Sequence, residues 1–417
     1  MKEKVKIGIL SLGCPRNLVD SETVLGRLGN KGYKVVDIDK ADVAIVNTCA
    51  FINDAKEESI EAILDLVQLK KEGRLKKIIV YGCLAQRYKK ELVKELPEID
   101  AFVGSLALNH EKSRFAITPE HFVYLKICEG CVNNCSFCII PKIKGKFTSL
   151  GKKEILEKVR QFNNEKKSEL NIVGQDISGY GIDLYKKPIL ADLLKDIVKN
   201  SKNIGWIRLL YLNPTRISDE LIKLVADSEK ICKYIDMPIQ HINNRILKLM
   251  RRNTDKAGII KAIEKIRKRI PGVSLRTSLI VGFPSETDKE FQELFDFVKE
   301  VRFERLGVFT YSREEGTSAY NFKGQLSSKI KQERLGALMQ LQQDISKEIN
   351  ARFLGKTIEV LIDEQENGCY LGRTQSDAPE VDGMVYVNSA RKLMPGEFVK
   401  VKITDTMEYD LTGKVLS

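Results

Sequence analysis

The chain has 417 residues, of which 43% are hydrophobic and 30% charged, and its formal net charge is +12. This composition is typical of a globular protein with about two to four domains and excludes a disordered chain. Every apolar run is shorter than the ~18 residues that a membrane-spanning helix needs, and the N-terminal residues have no signal-peptide pattern. The sequence therefore predicts a cytoplasmic protein without a membrane segment.

Residues 1–120 alternate short apolar strands with amphipathic helices. Strands are predicted at 6–10, 41–48 and 76–82, helices at 21–31 and 55–71, and a further helix rich in Lys and Glu after residue 82. Strand–helix alternation of this kind predicts an open parallel α/β sheet.

The alternation continues through residues 121–351. Strands are predicted at 122–127, 170–174, 207–212, 234–239, 275–282 and 306–311. Helices are predicted at 189–200, 218–228, 255–269, 287–301 and 326–351. Six strand–helix units without a strand-only stretch predict a complete or partial parallel (βα) barrel, whose functional residues would lie at the carboxyl ends of the strands.

The pattern changes in residues 352–417, where short alternating strands are separated by turns. The turn dipeptides are Asn367-Gly368, Asp382-Gly383 and Pro395-Gly396. Such spacing predicts a small antiparallel β-barrel of about 65 residues. The chain is thus an α/β protein in three parts, with boundaries at 1–120, 121–351 and 352–417.

Nine cysteines are unusual in a chain predicted to be cytoplasmic, where disulfides are rare and cysteine clusters more often bind metal. Four of them fall in the string KICEGCVNNCSFCIIP, directly after the first strand of the middle part: Cys128, Cys131, Cys135 and Cys138. Structural zinc sites usually have a longer loop between their two CxxC pairs. The tight spacing favours an iron–sulfur cluster, with zinc and buried thiols as the alternatives.

Three further cysteines end the first three predicted strands. Cys14, Cys49 and Cys83 are separated by 35 and 34 residues, one strand–helix unit each. Parallel neighbours lie about 4.8 Å apart and ligands of open α/β sheets bind beyond the carboxyl ends, so we expect the three thiols to meet at one site. The alternative is three independent core cysteines.

A trio of thiolates leaves one iron of a four-iron cluster without a protein ligand. An open position is what a metal centre needs to bind substrate or cofactor, so two such trios predict two reactive clusters. Cys232 and Cys369 stand apart from both trios and are interpreted as packing residues.

The string Cys131-x3-Cys135-x2-Cys138 resembles the CxxxCxxC signature of radical S-adenosylmethionine (SAM) enzymes. With the N-terminal trio and the two predicted barrels, the whole chain resembles the radical-SAM methylthiotransferases. That resemblance implies a methylthiotransferase domain at 1–120, a radical-SAM core at 121–351 and a TRAM domain at 352–417. It also implies two [4Fe-4S] clusters, one on each cysteine trio, with Cys128 as a buried thiol beside the second.

Four local strings are similar to the branch of that family that modifies a ribosomal protein: SLGCPRNLVDSE (11–22), RLLYLNP (208–214), YIDMPIQHIN (234–243) and SDAPEVDG (376–383). The resemblance implies a methylthio group inserted at the β-carbon of an aspartate in the twelfth small-subunit protein, near the decoding centre. SAM would be cleaved at the second cluster to a 5′-deoxyadenosyl radical, and the first cluster would carry the sulfur. An electron donor and a sulfur source are implied as further partners.

An unactivated C–H bond has no acidic proton, so general acid–base catalysis cannot break it and a cofactor must supply the chemistry. The sequence accords with this, since it has three histidines and no apparent Ser/His/Asp set. No catalytic residue is therefore predicted beyond the cluster ligands.

Further candidates for SAM contacts lie in the cysteine loop and near the predicted strand ends of the middle part, where barrel ligands bind. They are Phe137, Gln175, Asp176, Gln240, Arg276 and Gly282. For each of the polar ones the alternative is a loop hydrogen bond or a surface charge, and for Gly282 it is a tight turn.

Charge differs between the three parts. Basic minus acidic side chains give 20 − 18 = +2 for residues 1–120, 41 − 28 = +13 for 121–351 and 8 − 11 = −3 for 352–417. An RNA-binding barrel should be basic, so the acidic one favours a basic protein substrate. The alternatives are a methylthiotransferase for the adenosine beside a tRNA anticodon, and a non-catalytic iron–sulfur electron carrier or RNA-binding module.

Overall fold

The computed structural model of the chain describes residues 4–105 and 114–416. Five strands form the first sheet: β1 (Lys6–Ser11), β2 (Lys34–Val35), β3 (Val43–Thr48), β4 (Lys77–Gly82) and β5 (Ala101–Val103). All are parallel, in the order β2-β1-β3-β4-β5. The predicted open parallel α/β sheet is confirmed, with two short edge strands that the sequence pattern did not reveal.

Three helices accompany this sheet: α1 (Pro15–Asn30), α2 (Asn53–Lys71) and α3 (Cys83–Glu95). The start predicted for the first helix, residue 21, is wrong. The helix begins at Pro15, because proline suits the first helical position, where its missing N–H is not needed. Cys14 is thereby fixed directly before the helix.

Eight strands belong to the middle part: β6 (Phe122–Lys126), β7 (Cys128–Glu129), β8 (Thr148–Ser149), β9 (Glu169–Val173), β10 (Trp206–Leu209), β11 (Tyr234–Asp236), β12 (Ser274–Val281) and β13 (Arg305–Thr310). Two parallel sheets, β10-β9-β6 and β11-β12-β13, meet through a parallel bridge between Ile207 and Ile231. This arrangement is the predicted partial barrel.

Nine helices surround these strands: α4 (Ile140–Lys144), α5 (Lys152–Asn164), α6 (Ile182–Tyr185), α7 (Leu190–Asn200), α8 (Asp219–Asp227), α9 (Asn244–Leu249), α10 (Lys256–Arg269), α11 (Asp288–Val301) and α12 (Ser328–Ala351). Apolar faces of the longer helices pack on the strands in one large buried core. Thr287 and Glu290 form a capping box that fixes the start of α11.

The last five strands close into a barrel: β14 (Thr357–Glu366), β15 (Cys369–Arg373), β16 (Val385–Asn388), β17 (Phe398–Thr406) and β18 (Leu411–Val415). Their order around the barrel is β14-β15-β16-β18-β17. The closed barrel is confirmed, but the expectation that all its pairs are antiparallel is wrong. Strands β16 and β18 run parallel, because the connection through β17 returns the chain in the direction of β16.

The C-terminal barrel packs beneath the amino ends of the middle strands. Glu169, the first residue of β9, is fully buried and pairs with Arg208 and with Arg373 of the C-terminal barrel, each at 2.8 Å. Trp206, the first residue of β10, packs edge-on against Phe398 at 4.9 Å between ring centres. The amino end of the middle barrel is therefore covered, and its carboxyl end faces the first sheet.

Candidate functional site

The N-terminal cysteine trio lies at the carboxyl edge of the first sheet. Cys14 precedes α1, Cys49 directly follows β3, and Cys83 is the first residue of α3. Cys14 acts electrostatically on Cys49, and both of them act on Cys83. The structure thus brings together the three side chains that the spacing predicted to meet.

Two glycines let these strand ends approach one another. Gly13 has φ +89°, and a Cβ added there would lie 2.7 Å from the Cβ of Cys49. Gly82 has φ +100°, and its added Cβ would lie 2.8 Å from the carbonyl oxygen of Thr48. Both positions require a left-handed backbone and leave no space for a side chain, so glycine immediately precedes Cys14 and Cys83 for a steric reason.

Asn17 was not predicted as a site residue, yet it ties the strand ends together. Its buried side chain donates to the carbonyl oxygens of Leu12 at 2.9 Å and Thr48 at 3.3 Å. Its Oδ1 lies 4.0 Å from the sulfur of Cys83. The sequence signal was a polar residue one helical turn after Cys14, which hydrophobic periodicity does not detect.

Arg16 is the second site residue that the pattern did not reveal. Its Nε donates to the sulfur of Cys14 at 3.3 Å. Burial alone would raise the pKa of the Cys14 thiol, but the charge and hydrogen bond of Arg16 outweigh it and lower that pKa. Burial raises the pKa of Cys83 to about 12 and also raises that of Cys49. Cys14 is therefore the member of the trio most readily ionised.

The second trio occupies the loop between β7 and α4, at the carboxyl end of the middle barrel. The Asn133 side chain and backbone N–H donate to the sulfur of Cys131 at 3.3 and 3.4 Å. Arg252 donates to the sulfur of Cys135 at 3.6 Å. Cys131 and Cys135 both act electrostatically on Cys138, whose pKa burial raises to about 12. The loop therefore gathers three thiols and supplies two of them with N–H donors.

Cys128 lies outside this loop and is fully buried. Its sulfur is 3.8 Å from the carbonyl oxygen of Asp176, and burial raises its pKa well above the usual value. Gly174 passes so close that a Cβ there would lie 2.5 Å from this sulfur. Cys128 is thus buried, as expected, and it feels the charge of Cys131 of the trio as well as that of Asp176. Cys232 is likewise buried, in the apolar cluster between the middle part and the C-terminal barrel.

Gln175 and Asp176 follow β9 and reach the second trio. Gln175 donates to Glu129 at 2.9 Å, while its Oε1 is buried without a hydrogen-bond partner among the described residues. Asp176 accepts from Asn133 at 2.7 Å and pairs with Arg216 at 3.4 Å, so it orients the side chain that donates to Cys131. The unpaired buried oxygen of Gln175 is a place where a ligand with a donor group could bind.

The other four predicted SAM contacts are more dispersed. Phe137 packs in the small apolar cluster around Phe283 and Tyr311. Gln240 has φ +74° and exchanges backbone hydrogen bonds with the β12 strand. Arg276 lies near the start of β12, between Asp236 and Asp382, each at 3.4 Å. Gly282 faces the Lys331 side chain.

A buried ionic layer lies between α1 and the middle barrel. Lys126 and Lys144 each pair with both Asp20 and Glu129, and all four side chains are at most 10% exposed. Burial opposes ionisation of Glu129, but the two lysines overcome it and lower its pKa to about 2. Two cations and two anions balance, so this layer joins α1 to the middle barrel without leaving an unpaired buried charge.

The donor sets fit iron–sulfur clusters better than single metal ions. In residues 4–105 and 114–416, no three His, Cys, Asp or Glu side chains converge on a position that could hold one ion. A four-iron cluster spreads its thiolates over different irons, so its ligands stand further apart. Each trio provides three thiols, and neither has a fourth cysteine in its own loop.

Three family models match successive parts of the chain. The model described as Uncharacterized protein family UPF0004 matches residues 6–104, the Radical SAM superfamily model 125–298 and the TRAM domain model 354–416. The middle match contains the second trio, and the first contains Cys14, Cys49 and Cys83.

Two relatives that match over the full chain have the same name. The ribosomal protein uS12 methylthiotransferase RimO of Clostridioides difficile is 47% identical, over 99% of both chains. That of Caldanaerobacter subterraneus subsp. tengcongensis is 48% identical, over 98% of this chain and 99% of its own. This chain belongs to the RimO family. The family resemblance predicted from the cysteine strings is confirmed.

Solved structures support the fold. The radical SAM methyltransferase TsrM from Kitasatospora setae, with tryptophan and a SAM analogue bound, superposes with a TM-score of 0.50 at 11% identity, over 73% of each chain. The cobalamin-dependent SAM radical enzyme OxsB superposes with a TM-score of 0.51 at 13% identity, over 83% of this chain and 56% of its own. Across the described residues, no helix has the length and apolar content to cross a bilayer.

Proposed function

We propose that this RimO-family chain is a radical-SAM methylthiotransferase that inserts a methylthio group at the β-carbon of an aspartate in ribosomal protein uS12. The relatives that match it over its full length carry that activity in their name. The three parts at 1–120, 121–351 and 352–417 would supply the sulfur-carrying site, the radical site and a substrate-binding barrel.

The observation that carries this proposal is that both cysteine trios border one interface. Arg16 acts electrostatically on Cys14 of the first trio and on Cys138 of the second. Lys144, two residues beyond the end of the CIIPK string, feels the charges of Cys83 and Cys14. Transfer of a sulfur group to a carbon radical requires that the sulfur-carrying site and the radical site both reach the same substrate. An electron carrier or an RNA-binding module would not require two cysteine trios at one interface.

Two [4Fe-4S] clusters and SAM are the cofactors of this proposal. A reduced cluster with SAM supplies a carbon radical that removes hydrogen from an unactivated C–H bond. Cys131, Cys135 and Cys138 would hold that cluster, and Cys14, Cys49 and Cys83 the other. Phe137, Gln175, Asp176, Gln240, Arg276 and Gly282 remain candidates for SAM contacts, and the unpaired oxygen of Gln175 is the strongest feature among them.

The acidic C-terminal barrel supports the protein substrate over tRNA. Its net charge of 8 − 11 = −3 is opposite in sign to a basic ribosomal protein and repels phosphate. An electron donor and a sulfur source are required as partners, and the substrate locates the reaction in the cytoplasm.

The decisive experiment compares cells with and without the gene. Loss of one methylthio group from the mass of uS12, with methylthio-adenosine in tRNA unchanged, is the expected result. Loss of the tRNA modification alone would assign the chain to the tRNA alternative. Purified anaerobically, the protein should contain about eight irons.

Substitution of one cysteine in each trio tests which trio holds which cluster. Cys14→Ala should retain about four irons and still cleave SAM, whereas Cys131→Ala should retain about four and lose SAM cleavage. One cluster in the unaltered protein would reject the two-cluster proposal.

A further inference from the structure

Arg16 contacts both parts of the proposed active centre. Its Nε donates to the sulfur of Cys14 at 3.3 Å, and its Nη1 donates to the carbonyl oxygen of Gly174 at 3.2 Å. Gly174 lies between the end of β9 and the Gln175–Asp176 pair, and Asp176 accepts from the Asn133 side chain that donates to Cys131. One guanidinium thus spans the two sites with separate N–H groups.

The position of this guanidinium is fixed from two sides. Pro15 and Arg16 open α1, so the backbone of Arg16 is held by the first helical turn. Its guanidinium lies over the Tyr211 ring, 4.7 Å from the ring centre. Tyr211 has φ +67°, and its N–H donates to Asp236 at 2.9 Å. Stacking on an aromatic ring in this way holds the planar guanidinium group in one orientation.

The charge of Arg16 has no carboxylate in direct contact. Within the described ranges 4–105 and 114–416, no Asp or Glu forms a salt bridge with it, although Glu129 influences it from a distance. A half-buried cation without a carboxylate is costly unless another anion is near. The Nε–H of Arg16 points at the Cys14 sulfur, 3.3 Å away, so the charge is directed at a sulfur ligand of the first site.

We propose that Arg16 is a positioning residue that sets the alignment and the redox potential of the first cluster relative to the SAM-binding loop at 174–176. This inference rests on the proposed function and adds a named role within it. The positive charge favours the reduced, more negative state of the cluster on Cys14. The second hydrogen bond holds that site against the loop where SAM is cleaved, so that radical formation and sulfur transfer occur at one substrate.

Two substitutions distinguish the effect of the positive charge of Arg16 from the effect of its two hydrogen bonds. Arg16→Lys keeps the charge but replaces the planar guanidinium, whose separate nitrogens reach Cys14 and Gly174, with a single ammonium nitrogen. Arg16→Gln removes the charge. Arg267→Lys is the matched control, because Arg267 also bridges elements by donating to the Val301 and Arg302 carbonyls, away from both trios.

The measurements are made on anaerobic, cluster-loaded protein. We expect all variants to hold about eight irons. Arg16→Gln should shift the first-cluster potential to more negative values, as measured by a redox titration followed by electron paramagnetic resonance, and Arg16→Lys should restore most of it. Both Arg16 variants should give at least tenfold less methylthiolated product for each 5′-deoxyadenosine formed.

Unchanged potential and unchanged product ratio in the Arg16 variants would overturn the inference, as would the same changes in Arg267→Lys. Loss of the first cluster from both Arg16 variants would also overturn it and assign Arg16 to cluster retention. If the unaltered protein cleaves SAM but never modifies uS12, the proposed function fails, while the potential still tests Arg16 independently.

Discussion

Gly13 is the residue on which the approach of Cys14 to Cys49 depends. Its backbone has φ +89°, and the nearest atoms to an added Cβ are the Cβ and sulfur of Cys49, at 2.7 and 3.0 Å. Any residue other than glycine at this position would be strained for two reasons: its backbone would have an unfavourable positive φ, and its Cβ would clash with Cys49. Neither neighbour can move away without displacing a proposed cluster ligand.

We predict that Gly13→Ala loses the first cluster and keeps the second. The iron content should fall by about four per chain, and SAM cleavage should continue. Gly29→Ala in α1 is the control, because nothing lies within 4 Å of its added Cβ. Iron analysis and the paramagnetic spectrum of the reduced protein measure the effect. A Gly13→Ala protein with the full iron content would contradict the steric role.

At this scale, sequence spacing predicted the two cysteine trios but not their surroundings. Six thiols recur at strand ends or within one short loop, and regular spacing is visible in a sequence. Asn17 contacts Thr48, 31 positions away, and Arg16 contacts Gly174, 158 positions away. Local sequence patterns do not reveal contacts over such separations. Arg276 is the third residue of β12, so it lies away from the carboxyl end where barrel ligands were expected, and its side chain pairs with Asp236 and Asp382.

Helices α2 and α3 are fastened to the middle barrel by one buried carboxylate. Glu314, in the loop after β13, pairs with Lys56 of α2 at 3.1 Å and Arg87 of α3 at 2.8 Å. Arg87 also donates to the carbonyl oxygen of Ala50, next to Cys49. This contact and the ionic layer between α1 and β6–β7 hold the first sheet at two separate places.

We predict that Glu314→Gln destabilises the protein by about 3 kcal/mol, because it leaves two cations without their buried partner. The surface pair Glu359–Lys400, with side chains 45% and 63% exposed, provides the control. Glu359→Gln should change stability by less than about 1 kcal/mol. Urea unfolding of the cluster-loaded protein measures both, and equal shifts would contradict the prediction.

Element by element, the regular parts of the fold could be predicted and the edges could not. The middle strands and helices have strong apolar periodicity, and each predicted one is present. Strands β2 and β5 have two and three residues, too few to show a pattern. Strand β18 has five residues with Gly413 at its centre, which weakens the alternating pattern typical of a strand.

Across the whole molecule, the C-terminal barrel and the middle barrel share one buried ion network. Arg373 pairs with Glu169 and Asp363, each at 2.8 Å, and Asp363 also accepts from His121 at 2.7 Å. The chain has a single tryptophan, Trp206, and it lies at this contact against Phe398. Its fluorescence therefore reports whether the two barrels remain together.

We predict that Arg373→Met separates the unfolding of the two barrels. Tryptophan fluorescence and circular dichroism should give coincident transitions in the unaltered protein, while in the variant fluorescence changes first, after a loss of about 3 kcal/mol at the contact. Arg391→Met is the control, since Arg391 pairs with Glu397 on the surface. Coincident transitions in Arg373→Met would show that the network does not couple the barrels.

The parallel pairing of β16 with β18 has a consequence for how the chain matures during synthesis. Strand β18 fills the space between β16 and β17, so both of those strands keep an open edge until residues 411–415 have left the ribosome. Open edges attract other strands, and a nascent chain is therefore vulnerable to wrong pairing until then.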